Sequence, residues 1–182
     1  MVLEYGCSTG TYASFLSEIG ASYFGIDISD LAIKNAKADS LNILSNSPSF
    51  LVMNAKKLSF KDNTFDVVCG SGIIHHLNIE KAYYKISRVL KKGGRAIFRE
   101  PLGHNPIINL YRMSTPELRT KDEHPLKIND INRARKYFDE IDIYYFDLTT
   151  LIAVIFRKKN YFDKLIDVLD KIDRVIFNLF PF

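Results

Sequence analysis

Residues 2–10 read VLEYGCSTG. An apolar stretch, residues 2–5, runs into a loop framed by Gly6 and Gly10, with Cys7, Ser8 and Thr9 between them. Beyond it, Tyr12, Phe15, Leu16 and Ile19 recur at i, i+3, i+4 and i+7, the spacing of a helix with one buried face, and Gly20 ends that run. Strand, glycine loop and helix open a nucleotide-type site, and the glycine spacing decides its ligand. A dinucleotide loop wants G-x-G-x-x-G for the approach of a pyrophosphate. The pattern here is E-x-G-x-S-x-G, without the close glycine pair. A P-loop would carry lysine after its second glycine, and position 11 is Thr11. Phosphate is therefore not the favoured ligand.

The same rhythm continues outward. Residues 22–26 (SYFGI) read as a second strand closed by Asp27, and Ser29 as the N-cap of a helix reaching about Ser40. Residues 50–53 (FLVM) and 65–69 (FDVVC) give two more strands, the latter broken by Gly70 and Gly72. Ala82, Ile86, Val89 and Leu90 have helical spacing, stopped by Gly93 and Gly94. Residues 95–99 (RAIFR) form a fifth strand, stopped by Glu100 and Pro101. Short apolar strands alternating with helices predict an α/β fold with a doubly wound, mostly parallel sheet covered on both faces. Such sheets bind ligands beyond the carboxyl ends of their strands. Glu4, Asp27, Asn54, Ser71 and Glu100 all lie at or just past those ends, so five separate segments send polar groups to one rim.

Residues 101–128 break the rhythm with prolines and two histidines, and read as an irregular lid or acceptor-side insertion containing a short helix. Residues 130–138 resume as a helix with Ile131, Ala134 and Phe138 inward, and residues 141–155 read as a β-rich sixth strand. Leu165, Val168, Leu169, Ile172, Val175, Ile176 and Leu179 form the stripe of a long amphipathic helix. A single domain over residues 1–182 is expected. The net charge of +4 permits an anionic partner without arguing for nucleic acid, and no stretch is apolar enough to span a bilayer. With two cysteines and no leader-like start, the chain reads as a cytoplasmic protein with reduced thiols.

With these segments in order, the sequence resembles the class I S-adenosylmethionine-dependent methyltransferases. Their first motif is an acidic residue followed by G-x-G-x-G, and Glu4, Gly6, Ser8 and Gly10 match it with Ser8 at the middle glycine. YFGIDIS, FLVMNAKKLSF, DNTFDVVCGSGIIHHL and RVLKKGGRAIFREP resemble the family's following motifs in the right order and spacing, with Asn54 where Asp is commoner. The resemblance implies a Rossmann-like methyltransferase fold that binds S-adenosylmethionine and releases S-adenosylhomocysteine. Asp27 would accept from the ribose hydroxyls, Ile28 would pack on the adenine, and Asn54 and Ala55 would meet its edge. Glu4 would favour the methionine amino group, and Gly6 and Gly10 would admit the cofactor close to the backbone. The N–H groups after Gly10 would face the methionine carboxylate. Tyr5, Cys7, Ser8 and Ser71 complete the expected cofactor-binding set.

An imidazole can act as a base near neutral pH, which makes His76 the candidate catalytic base; the alternative is that His75 and His76 pack under the rim and cap a loop. His104 and His124 stand on the irregular segment, and the histidines and cysteines lack zinc-ligand spacing, so no metal is expected. Arg112, Arg119, Lys121 and Lys127 could receive an acidic acceptor, and Tyr111, Met113 and Leu118 could wall an apolar pocket for a small molecule. The charged cluster, diluted by Glu117, Asp122 and Glu123, is also explained as a solvated face. Nucleic acid is not expected as a partner. A nicotinamide-dependent Rossmann oxidoreductase and a non-catalytic methyltransferase-like module remain as alternatives. The chain ends where the family's last, antiparallel strand would begin, so that strand is expected to be lacking. A homodimer through an open sheet edge or the C-terminal helix would follow.

Overall fold

The computed structural model describes residues 1–41, 46–118 and 123–179. Five strands form: β1 (Val2–Tyr5), β2 (Tyr23–Asp27), β3 (Ser49–Val52), β4 (Phe65–Ser71) and β5 (Leu90–Arg99). They make one sheet in the order β3-β2-β1-β4-β5, and every pairing is parallel. This is the doubly wound sheet expected from the alternation of elements. The chain leaves β1 toward β2 on one side, while β4 lies on the other, so the order reverses between β1 and β4. A ligand crevice is expected above that reversal.

The strands are central because their side chains are. Leu3, Tyr5, Ile26, Phe65 and Val68 are wholly buried. Helix α2 (Asp30–Asp39) is capped as expected, with the Ser29 hydroxyl accepting from Ala32 N. Helix α3 (Ile79–Val89) begins on Asn78, whose side chain accepts from Lys81 N, and buries Ile79, Ala82, Tyr83, Ile86 and Val89. β5 starts directly after it. Its register jumps from Phe65↔Leu90 to Val67↔Arg95, so residues 91–94 bulge out of the ladder, with Gly93 at a φ of 78°. Gly93 and Gly94 thus shape the strand entry.

Two expectations are corrected. Helix α1 (Ala13–Glu18) exists, but Phe15 and Ile19 are mostly exposed and its buried positions are Ala13 and Ser17. Small residues face the sheet because the space is already filled: Cys7, Ala13, Tyr23, Ile33, Ala36 and Phe50 form one core cluster, with Leu16 at its margin. Residues 141–155 contain no strand. They run as irregular chain into a 3-10 turn, Thr150–Phe156.

The chain divides into two compact units: Met1–Pro101 with Lys121–Asp139, and Leu102–Thr120 with Glu140–Phe182. The division cuts through the 101–128 segment that was expected to act as one insertion. In the first unit, Leu126 N donates to Pro101 O and His124 N to His75 O. Helix α5 (Ile128–Arg133) and the turn after it bury Ala134, while Ile131 and Phe138 are half-buried. The second unit holds α4 (Pro106–Ser114), the Thr150–Phe156 turn and α6 (Phe162–Leu179). The α6 stripe is rotated from expectation: Leu165, Leu169 and Ile176 are half-buried with Asp173 fully buried among them, while Val168, Ile172, Val175 and Leu179 are exposed.

Candidate active site

The loop after β1 is held by its own backbone. Cys7 N donates to Ile26 O at 3.0 Å, and Gly10 N to Cys7 O at 2.8 Å. Gly6 and Gly10 take φ values of 63° and 79°. A Cβ on Gly10 would stand 2.8 Å from the Phe50 ring, so the loop passes too close to the core for any side chain there. Ser8 adopts φ 48°, the left-handed conformation that the glycine of the resembled motif would take without strain. Its side chain points outward and is exposed, so only the backbone conformation bears a cost. α1 begins at Ala13 rather than directly after Gly10, because the Cys7–Gly10 turn and the Ala13 N to Gly10 O bond occupy the intervening residues.

Asp27 ends β2 beside this loop. Its Oδ2 accepts from Ser8 N at 3.0 Å and its Oδ1 from Ser29 N at 2.9 Å. Each carboxylate oxygen can accept two hydrogen bonds, so one lone pair per oxygen remains for a ligand. Ile28 follows, 71% exposed, its side chain laid open beside the carboxylate. At the end of β3, Asn54 caps a 3-10 turn, Ala55–Lys57, with Oδ1 accepting from Lys56 N at 2.8 Å. Its carbonyl oxygen thus closes a turn, and Ala55 opens that turn, where first N–H groups lack intrahelical partners. Ser71 lies exposed at the tip of β4.

Glu4 does not stand on the open rim. It is 4% exposed and accepts from the Tyr23 hydroxyl at 2.5 Å. Burial pushes its carboxyl above the ordinary value, against the lowering effect of the Tyr23 hydrogen bond. Gly25 sits directly opposite Glu4 in the ladder, and a Cβ there would meet Cys7 Sγ and the Tyr23 hydroxyl at 2.8 Å each. The missing side chain is what lets Tyr23 reach Glu4. Burial, then the charges of Glu4 and Asp27, push the Cys7 thiol up to about 12; burial and Glu4 do the same for Cys69. Both thiols stay protonated at neutral pH and are poor nucleophiles. Tyr5 is wholly buried under the loop, so of the expected cofactor residues Tyr5, Cys7 and Glu4 shape the floor.

His75 and His76 lie on a 3-10 turn, Ile74–His76, after β4. His75 is buried, its Nδ1 2.7 Å from Glu100 Oε2, and His76 is half-buried with its ring 4.1 Å from that of His75 and tilted 38° to it. Glu100, read from the sequence only as one rim residue, turns inward. Its carboxylate also accepts from the backbone N–H groups of Ile73, Ile74 and His75. Sequence reasoning missed Tyr23 and this role of Glu100. The available signals were a tyrosine hydroxyl inside an apolar strand, which must find a partner, and an acid wedged between a strand end and a proline.

The remaining candidates fall in both units. His104, Tyr111 and Met113 are exposed in the second unit, and His124 and Lys127 in the first. Arg112 is half-buried in the second unit, while Arg119, Lys121 and the Leu118 side chain lie outside the described residues. Among the described residues no group of His, Cys, Asp or Glu is placed to hold a metal ion.

A family model described as a methyltransferase domain matches residues 3–98, from within β1 to within β5. An uncharacterised protein of Methanocaldococcus jannaschii is 30% identical over 126 residues, spanning 67% of this chain and 52% of that one. A demethylmenaquinone methyltransferase of Lactococcus lactis is 32% identical over 117 residues, spanning 62% of this chain and 46% of its own. Among solved structures, a protein of Pyrococcus horikoshii superposes with a TM-score of 0.54 at 30% identity, over 61% of this chain and 53% of that chain. The chain spans about half the length of the curated relatives it matches.

Proposed function

This chain belongs to the class I S-adenosylmethionine-dependent methyltransferases, and we propose that its first unit binds S-adenosylmethionine and holds it for methyl transfer to a small-molecule acceptor. Asp27 carries the reading. It stands where β2 meets the glycine loop, its carboxylate ties Ser8 to Ser29, and each oxygen keeps an acceptor site for a vicinal diol. A negative charge at this point repels phosphate and suits a ribose. The loop fits the group as well, since its glycines bring bare backbone to the rim and Gly10 leaves no room for a side chain.

Bound there, the cofactor supplies a methyl group already activated by its sulfonium, and orientation supplies most of the rate. The protein's own residues do the positioning. Asp27 fixes the ribose, the exposed Ile28 side chain covers the adenine, and Ala55 N with Asn54 meets the adenine edge. Asn54 contributes its amide group beside an oxygen already engaged by Lys56 N. Glu4, buried with Tyr23, sets the field beneath the loop rather than making a rim contact. His76, half-buried on the turn after β4, is the proposed base for any acceptor that must lose a proton. The demethylmenaquinone methyltransferase among the relatives supports a small-molecule acceptor.

Calorimetric titration with S-adenosylmethionine and S-adenosylhomocysteine tests this. Wild type is expected to bind both and Asp27→Ala to bind neither well. A wild-type protein that ignores both ligands overturns the proposal, and tight NADH binding in their place would assign the site to a dinucleotide.

A further inference from the structure

We infer that Glu100 is a positioning residue of the cofactor loop, acting through Ile73; the inference rests on reading that loop as the S-adenosylmethionine site. Glu100 follows the last residue of β5, and its side chain is only 5% exposed. Oε1 accepts from Ile73 N at 3.0 Å and Ile74 N at 2.8 Å; Oε2 meets His75 Nδ1 at 2.7 Å and His75 N at 3.4 Å. A buried carboxylate without partners is strongly disfavoured, and here successive N–H groups and an imidazole supply them. The same bonds fix the backbone of the turn leaving β4.

The side chain of Ile73 carries this order to the cofactor loop. A Cβ built on Gly6 would lie 3.2 Å from Ile73 Cδ1, and one on Gly70 would lie 2.8 Å from Ile73 Cγ2. Ile73 therefore fills the space that these two glycines leave and walls the loop on its β4 side. The chain of contact runs from the Glu100 carboxylate to the Ile73 amide, along the Ile73 side chain, to Gly6. Glu100 itself touches no ligand. A second tie, Gly72 N to Arg99 O at 2.9 Å, keeps the turn beside β5 independently of the carboxylate. Weakening the carboxylate is thus expected to reorient Ile73 without releasing the turn.

A double-mutant cycle separates this from a merely structural role. Glu100→Gln keeps size and one acceptor oxygen but places an amide against donors. Ile73→Ala leaves the hydrogen bonds and removes the wall. Each single variant is expected to weaken S-adenosylhomocysteine binding about tenfold, and the double variant to bind no worse than the weaker single one. Unchanged affinity in Glu100→Gln, or losses that add, overturns the inference. If the wild type binds neither cofactor form, the cofactor reading fails by itself, and the Gly6 amide resonance decides the positioning role. A shift caused by Glu100→Gln that vanishes in the Ile73→Ala background supports it. No shift in either background overturns it.

Discussion

Asp27 and Asp173 are both aspartates that tie down neighbouring backbone, and they do opposite work. Asp27, at the tip of β2, accepts from two backbone N–H groups, one per oxygen. Asp173, on α6, is 2% exposed and accepts from the N–H groups of Leu148, Thr149 and Thr150 and from the hydroxyls of Thr149 and Thr150. The first carboxylate keeps spare acceptor sites facing the glycine loop. The second has every direction filled and organises the second unit. Glu4 is a third case, buried with one hydroxyl donor. At the two buried carboxyls, Asp173 and Glu4, ionisation follows the balance of donors against burial. Burial alone would raise the Asp173 carboxyl, but the threonine hydrogen bonds outweigh it and hold it below 3.8, its ordinary value. At Glu4 burial outweighs the single bond, and the carboxyl is raised above 4.5. The number of donors, set against burial, decides which way each of these two carboxyls is shifted.

The contrast can be broken at its strongest point first. Asp173→Ala strands the part-buried N–H groups of Leu148, Thr149 and Thr150 and leaves the two threonine hydroxyls with Leu169 O and Asp147 Oδ1. It is expected to cost roughly 3–4 kcal/mol, read as a lower urea midpoint for the second unit. Asp27→Ala should instead leave stability within about 1 kcal/mol and cost roughly 2–3 kcal/mol in S-adenosylmethionine affinity, measured by calorimetry. A large stability loss there would erase the distinction.

Glu4→Gln tests the intermediate case. The folded protein holds the Glu4 proton more tightly than the unfolded chain, so this contribution is full below pH 4.5 and is lost as pH rises through the raised value. Asp173 acts in the reverse sense: its contribution is present above pH 3.8 and lost as pH falls through the lowered value. Urea midpoints across this range should show Glu4→Gln gaining on the order of 1–2 kcal/mol at neutral pH and nothing at low pH. Ser8→Gly is the smallest effect. Relief of the left-handed φ should stabilise the protein by about 1 kcal/mol in thermal unfolding, with cofactor affinity unchanged or improved.

The first unit was legible because its signals are local. Val2–Tyr5, Gly6, Gly10 and Ser29 each specify their own strand, turn or cap, and α2 begins where Ser29 predicts. Residues 141–155 were not legible for the same reason. Ile, Tyr, Phe and Val favour a pleated, half-buried surface, but a strand needs a ladder partner, and propensity names none. In the second unit the N–H groups of residues 148–150 find a carboxylate instead, with Asp147 at φ 60° turning the chain toward it.

The sequence by itself determined the parallel sheet, the glycine loop and the acid at the end of the second strand, because periodicity and turn chemistry act within a few residues. Tertiary structure alone decided that Tyr23 covers Glu4 through the gap at Gly25, that Glu100 turns inward to hold Ile73, and that Asp173 replaces a strand with a turn. Each of those choices is a buried polar group finding its partner across 19 to 27 positions of chain. No local pattern encodes such a partner, and only the packed fold supplies it.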